Sequence, residues 1–451
     1  MLAACPGADW PTYMGNVERQ ANAFSETAIS ARSAPGLRLL WNYSTGADVS
    51  ASPALVRGVV YIGAHNGEFF ALRAASGALV WKNFLGIDTL LNRTNGVASS
   101  ATVAGGVVYV GGGNSSWYAV SAKNGTILWN VTTGNISQGY FNWASPLLAN
   151  GDAYIGIASK GDMPLVYGGL LQVSLATHAK LRFFNTTAAG TLGASIWTSP
   201  ALDPTTHTVF VTTGNPGPGP NGSVWGQAIL GLGGRALKLV GHWTVPANQS
   251  VTDGDFGATP TVFNAPNGTP MVAAANKNGI VYAWDQAHLA SGPVWERTVA
   301  YASGAKGLPN LGPSSWSPGA LYVGSSLTSI GGVNYSGSVR AFDAANGTLR
   351  WVKAEPNGAV LGAPVYANGL LIVGAGDVLQ VLNASSGATL FHYTTTTGGR
   401  FQGPAAVAHG EIVIGASDGR VYAFGVTTCR PGLAAPDPVP DLVAPVSARP
   451  E

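Results

Sequence analysis

Apolar residues in this chain come in short runs that alternate with polar positions, and each run is cut off by Gly, Asn-Gly or Ser-Gly. Alternation with a period of two over so few residues marks a strand with one face buried. In ASPALVRGVVYIGAHNGEFFALRAASGALVW, residues 51–81, the pattern reads strand, Arg-Gly turn, VVYIG, His-Asn-Gly turn, EFFALRA, Ser-Gly turn, and a last short strand closing on Trp81. Strands joined by turns this tight form a four-stranded antiparallel meander.

The meander recurs. Residues 99–129 close on Trp129, 144–184 on Phe184, 198–243 on Trp243, 258–295 on Trp295, 315–351 on Trp351 and 362–393 on Tyr393. A final copy over 403–426 stops at Val426 without its last strand, whereas Leu37–Tyr43, LRLLWNY, is an orphan strand of the missing kind. The pattern predicts an all-β fold: an eight-bladed β-propeller of four-stranded antiparallel blades over 37–426, closed by an N-terminal strand. Closure would bring the two ends of the chain together. Residues 1–36 read as an N-terminal extension without clear periodicity, in which DWPTYMGN can pack Trp10 and Tyr13 on a core edge. Residues 427–451, rich in Pro and Ala, read as a disordered tail. The copies close on A-x-x-A/D-x-x-G-x-x-x-W, with the Gly making a turn and the Trp wedging between neighbouring sheets. Recurrence at one repeat position favours this structural use of the Trp series over a row of sugar-binding platforms.

Composition narrows the class. Charged residues are 10% of the 451 and the net charge is +2, so the chain lacks the basic footprint of a nucleic-acid binder. Mean hydropathy is +0.19, yet no run approaches the roughly 20 apolar residues of a membrane span. The two cysteines, Cys5 and Cys429, lie near opposite ends and suit a disulfide in an oxidising compartment. The start, MLAAC, also resembles the tail of a lipoprotein signal, in which Cys5 would carry lipid; the two uses exclude each other. Dense Asn-x-Ser/Thr sequons, among them Asn42, Asn124, Asn185, Asn221, Asn346 and Asn383, are expected on surface turns of a secreted or periplasmic glycoprotein.

The docking repeat resembles that of the quinoprotein alcohol dehydrogenases and their relatives, which include the non-enzymatic outer-membrane assembly lipoprotein, over nearly all of Leu37 to Val426. Residues outside the repeat, between Ile196 and Asp285, carry the chemistry. Trp197 is out of register with the docking series and matches the Trp on which those enzymes stack pyrroloquinoline quinone. In TTGNPGP, Asn215 matches their calcium ligand. In DGDFGATP, Asp255 matches their catalytic Asp and joins the calcium ligands, and Asp253 offers a second acidic contact to the cofactor. In NKNGIVYAWD, Lys277 matches the cation that touches the quinone oxygens. A carboxylate beside a metal ion can take a hydroxyl proton, and a fixed ammonium stabilises a reduced, more anionic cofactor.

The chain also departs from that family. Its glutamate calcium ligand falls at Gly161 in IASKGDMP, with Asp162 one position on as the substitute ligand. The first-blade glutamate that touches the cofactor falls near Ser50, and the adjacent-cysteine pair is replaced around Ser99 and Ser100. In these features the chain is most similar to polyvinyl-alcohol-dehydrogenase-like members. The resemblance implies pyrroloquinoline quinone- and calcium-dependent oxidation of a small or polymeric alcohol. It also implies a separate electron acceptor such as a cytochrome c, since no C-x-x-C-H haem motif occurs. The alternative is a non-catalytic propeller scaffold for protein interaction or envelope assembly.

Overall fold

The computed structural model describes residues 5, 7–162, 164–218, 224–301 and 310–426. Eight antiparallel sheets follow one another as blades 1 to 8, at 54–84, 102–132, 147–185, 201–244, 261–298, 315–355, 365–394 and 406–425. The last sheet takes its fourth, outer strand from Arg38–Ser44, which pairs antiparallel with Arg420–Gly425. The expected eight-bladed ring and its N-terminal closure are therefore both present. Blade 3 gains a fifth strand, Tyr140–Phe141, on the end of Asp152–Ser159. The Pro/Ala-rich tail, Cys429 and Asn221 lie outside the described residues, and Cys5 is buried against the turn at Gly410.

The core lies between blades. One cluster joins Tyr61, Phe69 and Trp81 of blade 1 to Val108, Val110 and Val120 of blade 2; others join blades 4 and 5 through Phe210, Val272 and Trp284, and blades 5 and 6 through Phe263, Trp295 and Leu321. Where it occurs, the recurring Trp completes the joint. The Trp81 indole donates to the Ala122 carbonyl of blade 2 at 3.0 Å, and Trp351 to Ala384 at 3.0 Å. A side chain on the next blade's turn glycine would collide with that ring: a Cβ at Gly125 would sit 2.6 Å from Trp81, and one at Gly387 2.8 Å from Trp351. The glycine of the repeat is thus fixed twice, by its left-handed φ and by the indole lying on it. In blade 3, His178 holds this position at φ 61° and stacks on Trp129 at 4.2 Å.

Residues 7–33 form a hub. Trp10 exchanges backbone hydrogen bonds with Leu55 of blade 1, and the Pro11 carbonyl accepts from Val103 of blade 2. Arg19 reaches the Pro146 and Pro200 carbonyls at the entrances of blades 3 and 4. The carbonyls of Val17, Glu18, Gln20 and Ala21 accept from Leu202, Val262, Trp316 and Tyr366 of blades 4 to 7, and Glu26 accepts from Gly410 N of blade 8. The segment reaches every blade in ring order, at or beside its innermost strand. Its polar bonds are spread over all eight blades, at least one to each, which is why it carries no strand or helix periodicity.

Candidate functional site

In these meanders the loop entering a blade and the turn between its second and third strands fall at the same end of the ring. Trp197 is on the loop entering blade 4, and Asp253 and Asp255 on the loop entering blade 5. Asp162, Asn215 and Lys277 are on the second-to-third-strand turns of blades 3, 4 and 5. Three consecutive blades therefore bring all six to one end of the channel. A file of hydroxyls keeps the entering loops in register: Ser52 N donates to Ser100 Oγ, Ser100 N to Ser145 Oγ, Ser145 N to Ser199 Oγ and Ser199 N to Thr259 Oγ1, at 2.8–3.1 Å. Ser100, and Ser99 through its bonds to Ala144 O and Gly111 N, are absorbed in this framework.

Two corners form. In the first, the Trp197 indole donates to Asp255 Oδ2 at 2.9 Å. Lys277 Nζ lies 2.6 Å from Asp255 Oδ1 and 2.8 Å from Asp253 Oδ1, and 5.1 Å from the centre of the Trp197 ring. Gly257 makes room for this packing, since a Cβ there would meet the Trp197 ring at 2.9 Å. The Trp197 ring itself is only partly buried. In the second corner, Asn215 Nδ2 donates to Asp162 Oδ2 at 3.0 Å and to Asp253 Oδ1 at 2.8 Å. Asp253, at φ 55°, is shared by both corners. Every site residue expected from sequence is thus in one connected network.

The charges are unequal in kind. Burial pushes the Asp255 carboxyl up to about 7, a rise that Lys277 limits and Asp253 increases. Burial would also raise Asp253, but hydrogen bonds from Lys277 and Asn215 outweigh it and hold that carboxyl below its usual range. Burial would lower Lys277, yet Asp255 and Asp253 together hold it above the usual lysine value. The result is a permanently charged Lys277–Asp253 pair beside a carboxyl that gains and loses its proton near neutrality, the property a general base needs. Among the described residues no three acidic, His or Cys side chains converge as a metal cluster. Asp162 and Asp253 meet through Asn215, and Asp253 and Asp255 through Lys277.

Sequence reasoning missed two supports. Gln227 Nε2 approaches Asn215 Oδ1 at 3.4 Å while its own Oε1 accepts from Ser250. Lys160, next but one to Asp162, is buried; its ammonium holds Asp88 at 3.2 Å and the carbonyls of Leu90 and Arg93, pinning a loop between blades 1 and 2. A lysine placed directly after the apolar strand YIGIAS was the available signal for the second.

The family described as outer membrane protein assembly factor BamB matches residues 25–215 and 277–430. The stretch between the two matches contains Asp253 and Asp255. Nothing among curated proteins matches the chain. Among solved structures it is similar to a europium-containing methanol dehydrogenase, with a TM-score of 0.76 and 14% identity over 93% of this chain and 98% of that one. It is also similar to the quinohemoprotein alcohol dehydrogenase ADHIIG from Pseudomonas putida HK5, at 0.74 and 18% over 96% and 82%. BamB from Moraxella catarrhalis is similar at 0.58 and 15% over 87% and 98%.

Proposed function

The chain belongs to the propeller family described as outer membrane protein assembly factor BamB, and on that footing we propose that it is an extracytoplasmic quinoprotein-type alcohol oxidoreductase and not a bare scaffold. The observation that carries this reading is Asp255: a buried carboxyl pushed up to about 7 and bonded to both an indole and an ammonium. Burial also raises Glu411 to about 7; what sets Asp255 apart is its place between the indole and the ammonium at the edge of a half-open aromatic ring.

The residues present fit the groups the reading requires. Asp162, Asn215 and Asp253 form a corner of oxygen donors suited to a hard cation such as calcium, once the Asn215 amide turns its oxygen inward, and Asp255 borders it. Trp197 offers a partly open aromatic plate, with Lys277 at its edge. When bound, pyrroloquinoline quinone supplies the hydride acceptor and calcium polarises it. The chain's own work is to orient and deprotonate. Asp255 Oδ2, held by the Trp197 indole, is aimed by that bond, and its carboxylate takes the alcohol's hydroxyl proton. Lys277 keeps Asp255 from rising further and adds positive charge where the reduced cofactor becomes anionic. Electrons leave to a separate acceptor such as a cytochrome c.

The test is a titration of purified protein with pyrroloquinoline quinone, with calcium, with europium or with neither, followed by Trp fluorescence, and then by alcohol-dependent reduction of a dye. Cation-dependent saturable binding is expected, weakened in Asn215→Ala. Asp255→Ala is expected to lower kcat/KM by about 10²- to 10⁴-fold. A folded protein that takes up no cofactor under any of these conditions would instead support the scaffold reading, which the family description favours.

A further inference from the structure

The strip along the axis begins and ends at the same turn of blade 8. Its far end arrives there through Glu26, which accepts from Gly410 N at 2.9 Å. Its near end is already in place. Asp9 Oδ1 lies 2.9 Å from His409 Nε2 and accepts from the Arg57 backbone N of blade 1 at 3.0 Å. One carboxylate oxygen therefore spans the seam between the last blade and the first. Gly7 lies against the same turn, where a Cβ would meet His409 N at 2.9 Å, and a Cβ on Gly410 would meet Cys5 Sγ at 2.7 Å. Ala8 N donates to Ser25 Oγ at 2.7 Å, so the two ends of the strip also hold each other. Residues 7–29 thus close a circle, and its clasp is the turn His409–Gly410 with Glu411 directly behind it.

The clasp contains two titrating groups that act with the same sign. The buried His409 ring is held above the usual imidazole value by its bond to Asp9, which outweighs burial; the charges of Asp9 and Glu26 and the Cys5 backbone add to this. Glu26 is itself engaged by the backbone N–H groups of Ala28, Ile29 and Gly410, and the Arg57 side chain is exposed. Glu411 has no exposed surface, and neither of its carboxyl oxygens has a hydrogen-bond partner. Burial pushes it up to about 7, and among the described residues His409 is the charge that draws it down. An ionised Glu411 is thus a buried anion compensated by the imidazolium alone. When His409 gives up its proton, Asp9 and Glu411 lose their shared cation together. Freed from the turn, the carboxyl returns to about 4.5 and the imidazole to about 6.5. Both groups hold their protons more tightly with the clasp closed. Docking is therefore strongest below about 4.5 and weakens as pH rises through about 7 and past the His409 value.

We propose that His409, Gly410 and Glu411 form a proton-operated clasp that keeps the axial strip, and with it the seam between blades 8 and 1, closed in acid and lets them part above neutrality. Protonated His409 pins Asp9, and neutral Glu411 lets the turn stay buried. As both protons leave, the ends of the strip at 7–10 and 23–29 lift first. The middle, which Arg19 holds through the Tyr13, Pro146 and Pro200 carbonyls, stays docked.

Hydrogen exchange of the full chain, read by mass spectrometry from pH 5 to 9 and corrected for the intrinsic rate at each pH, tests the clasp. Protection in the peptides that cover 7–10 and 23–29 is expected to fall about tenfold or more between pH 5 and 8. It should stay below that of a blade strand such as Thr208–Thr212 throughout, because the strip opens while the blades remain closed. Glu411→Gln and His409→Gln should each flatten the fall, and the double variant should leave it level. A wild-type strip with constant protection overturns the clasp, and so does one whose protection equals that of the blades at every pH. A double variant that still opens as the wild type does overturns it too, by giving the pH dependence to other groups. If a variant does not fold, the comparison of strip with blade in the wild-type protein decides the question.

Discussion

Asp255 is where one side chain decides the behaviour of the site. Its proton is balanced by burial and Asp253 on one side, and by Lys277 and the Trp197 indole on the other. As a base it works only when ionised, so kcat/KM should rise with pH through about 7. Lys277→Met removes the main lowering influence and should move that limb up by about one unit or more; Asp253→Asn removes a raising one and frees Lys277 for Asp255 alone, which should move it down. A pH–rate profile in which both variants move the limb the same way would contradict this balance. The same group leaves a mark on stability. A folded value of about 7 lies above that of an unfolded carboxyl, so the unfolded chain releases the proton first. Stability should therefore fall as pH rises from about 4 to 7, and Asp255→Asn should show a shallower slope in urea melts, keeping the part due to Glu411, which burial also raises to about 7.

Within a blade, the docking glycine is the point of least tolerance. Gly125 is at φ 77° with the Trp81 ring 2.6 Å from any Cβ, so Gly125→Val should cost roughly 2–4 kcal/mol by urea unfolding, through both backbone strain and the displaced indole. This is also why the blades could be recognised in sequence: each turn glycine and each terminal Trp answers a local demand that repeats. The site was readable for a related reason. Trp197 and Asp255 break the repeat, and residues that violate a pattern stand out against it. What could not be read was anything fixed by a single long-range contact. The bridge that Lys277 makes between Asp253 and Asp255 depends on two loops meeting, as does the bond from Asn215 to Asp162. The loop pinned by Lys160 is held through carbonyls, and carbonyls have no residue type.

At the scale of the whole molecule the ring is tied twice, once at its rim and once at its axis. The rim tie, Arg38–Ser44 on the last blade, follows from counting strands. The axial tie centres on Arg19, which is fully buried and gives hydrogen bonds to Thr12 Oγ1 and to the carbonyls of Tyr13, Pro146 and Pro200. Arg19→Met keeps the bulk but takes the donor from the Tyr13 and Pro200 carbonyls, while Pro146 O and Thr12 Oγ1 keep Thr102; a loss of roughly 2–4 kcal/mol is expected in urea unfolding, with no change in the Trp fluorescence of the folded state. A loss below about 1 kcal/mol would mean that the hub is held by its backbone bonds alone.

The hub also sets an order of events. Its residues are made before any blade, yet they have nothing to bind until the blades exist, and their final partner, Gly410, is made 384 residues after Glu26. The strip must wait undocked while the blades are made. Its docking can then serve as the signal that the circle is complete: a chain one blade short would leave the strip without its last bond, and its N-terminal residues open to a protease.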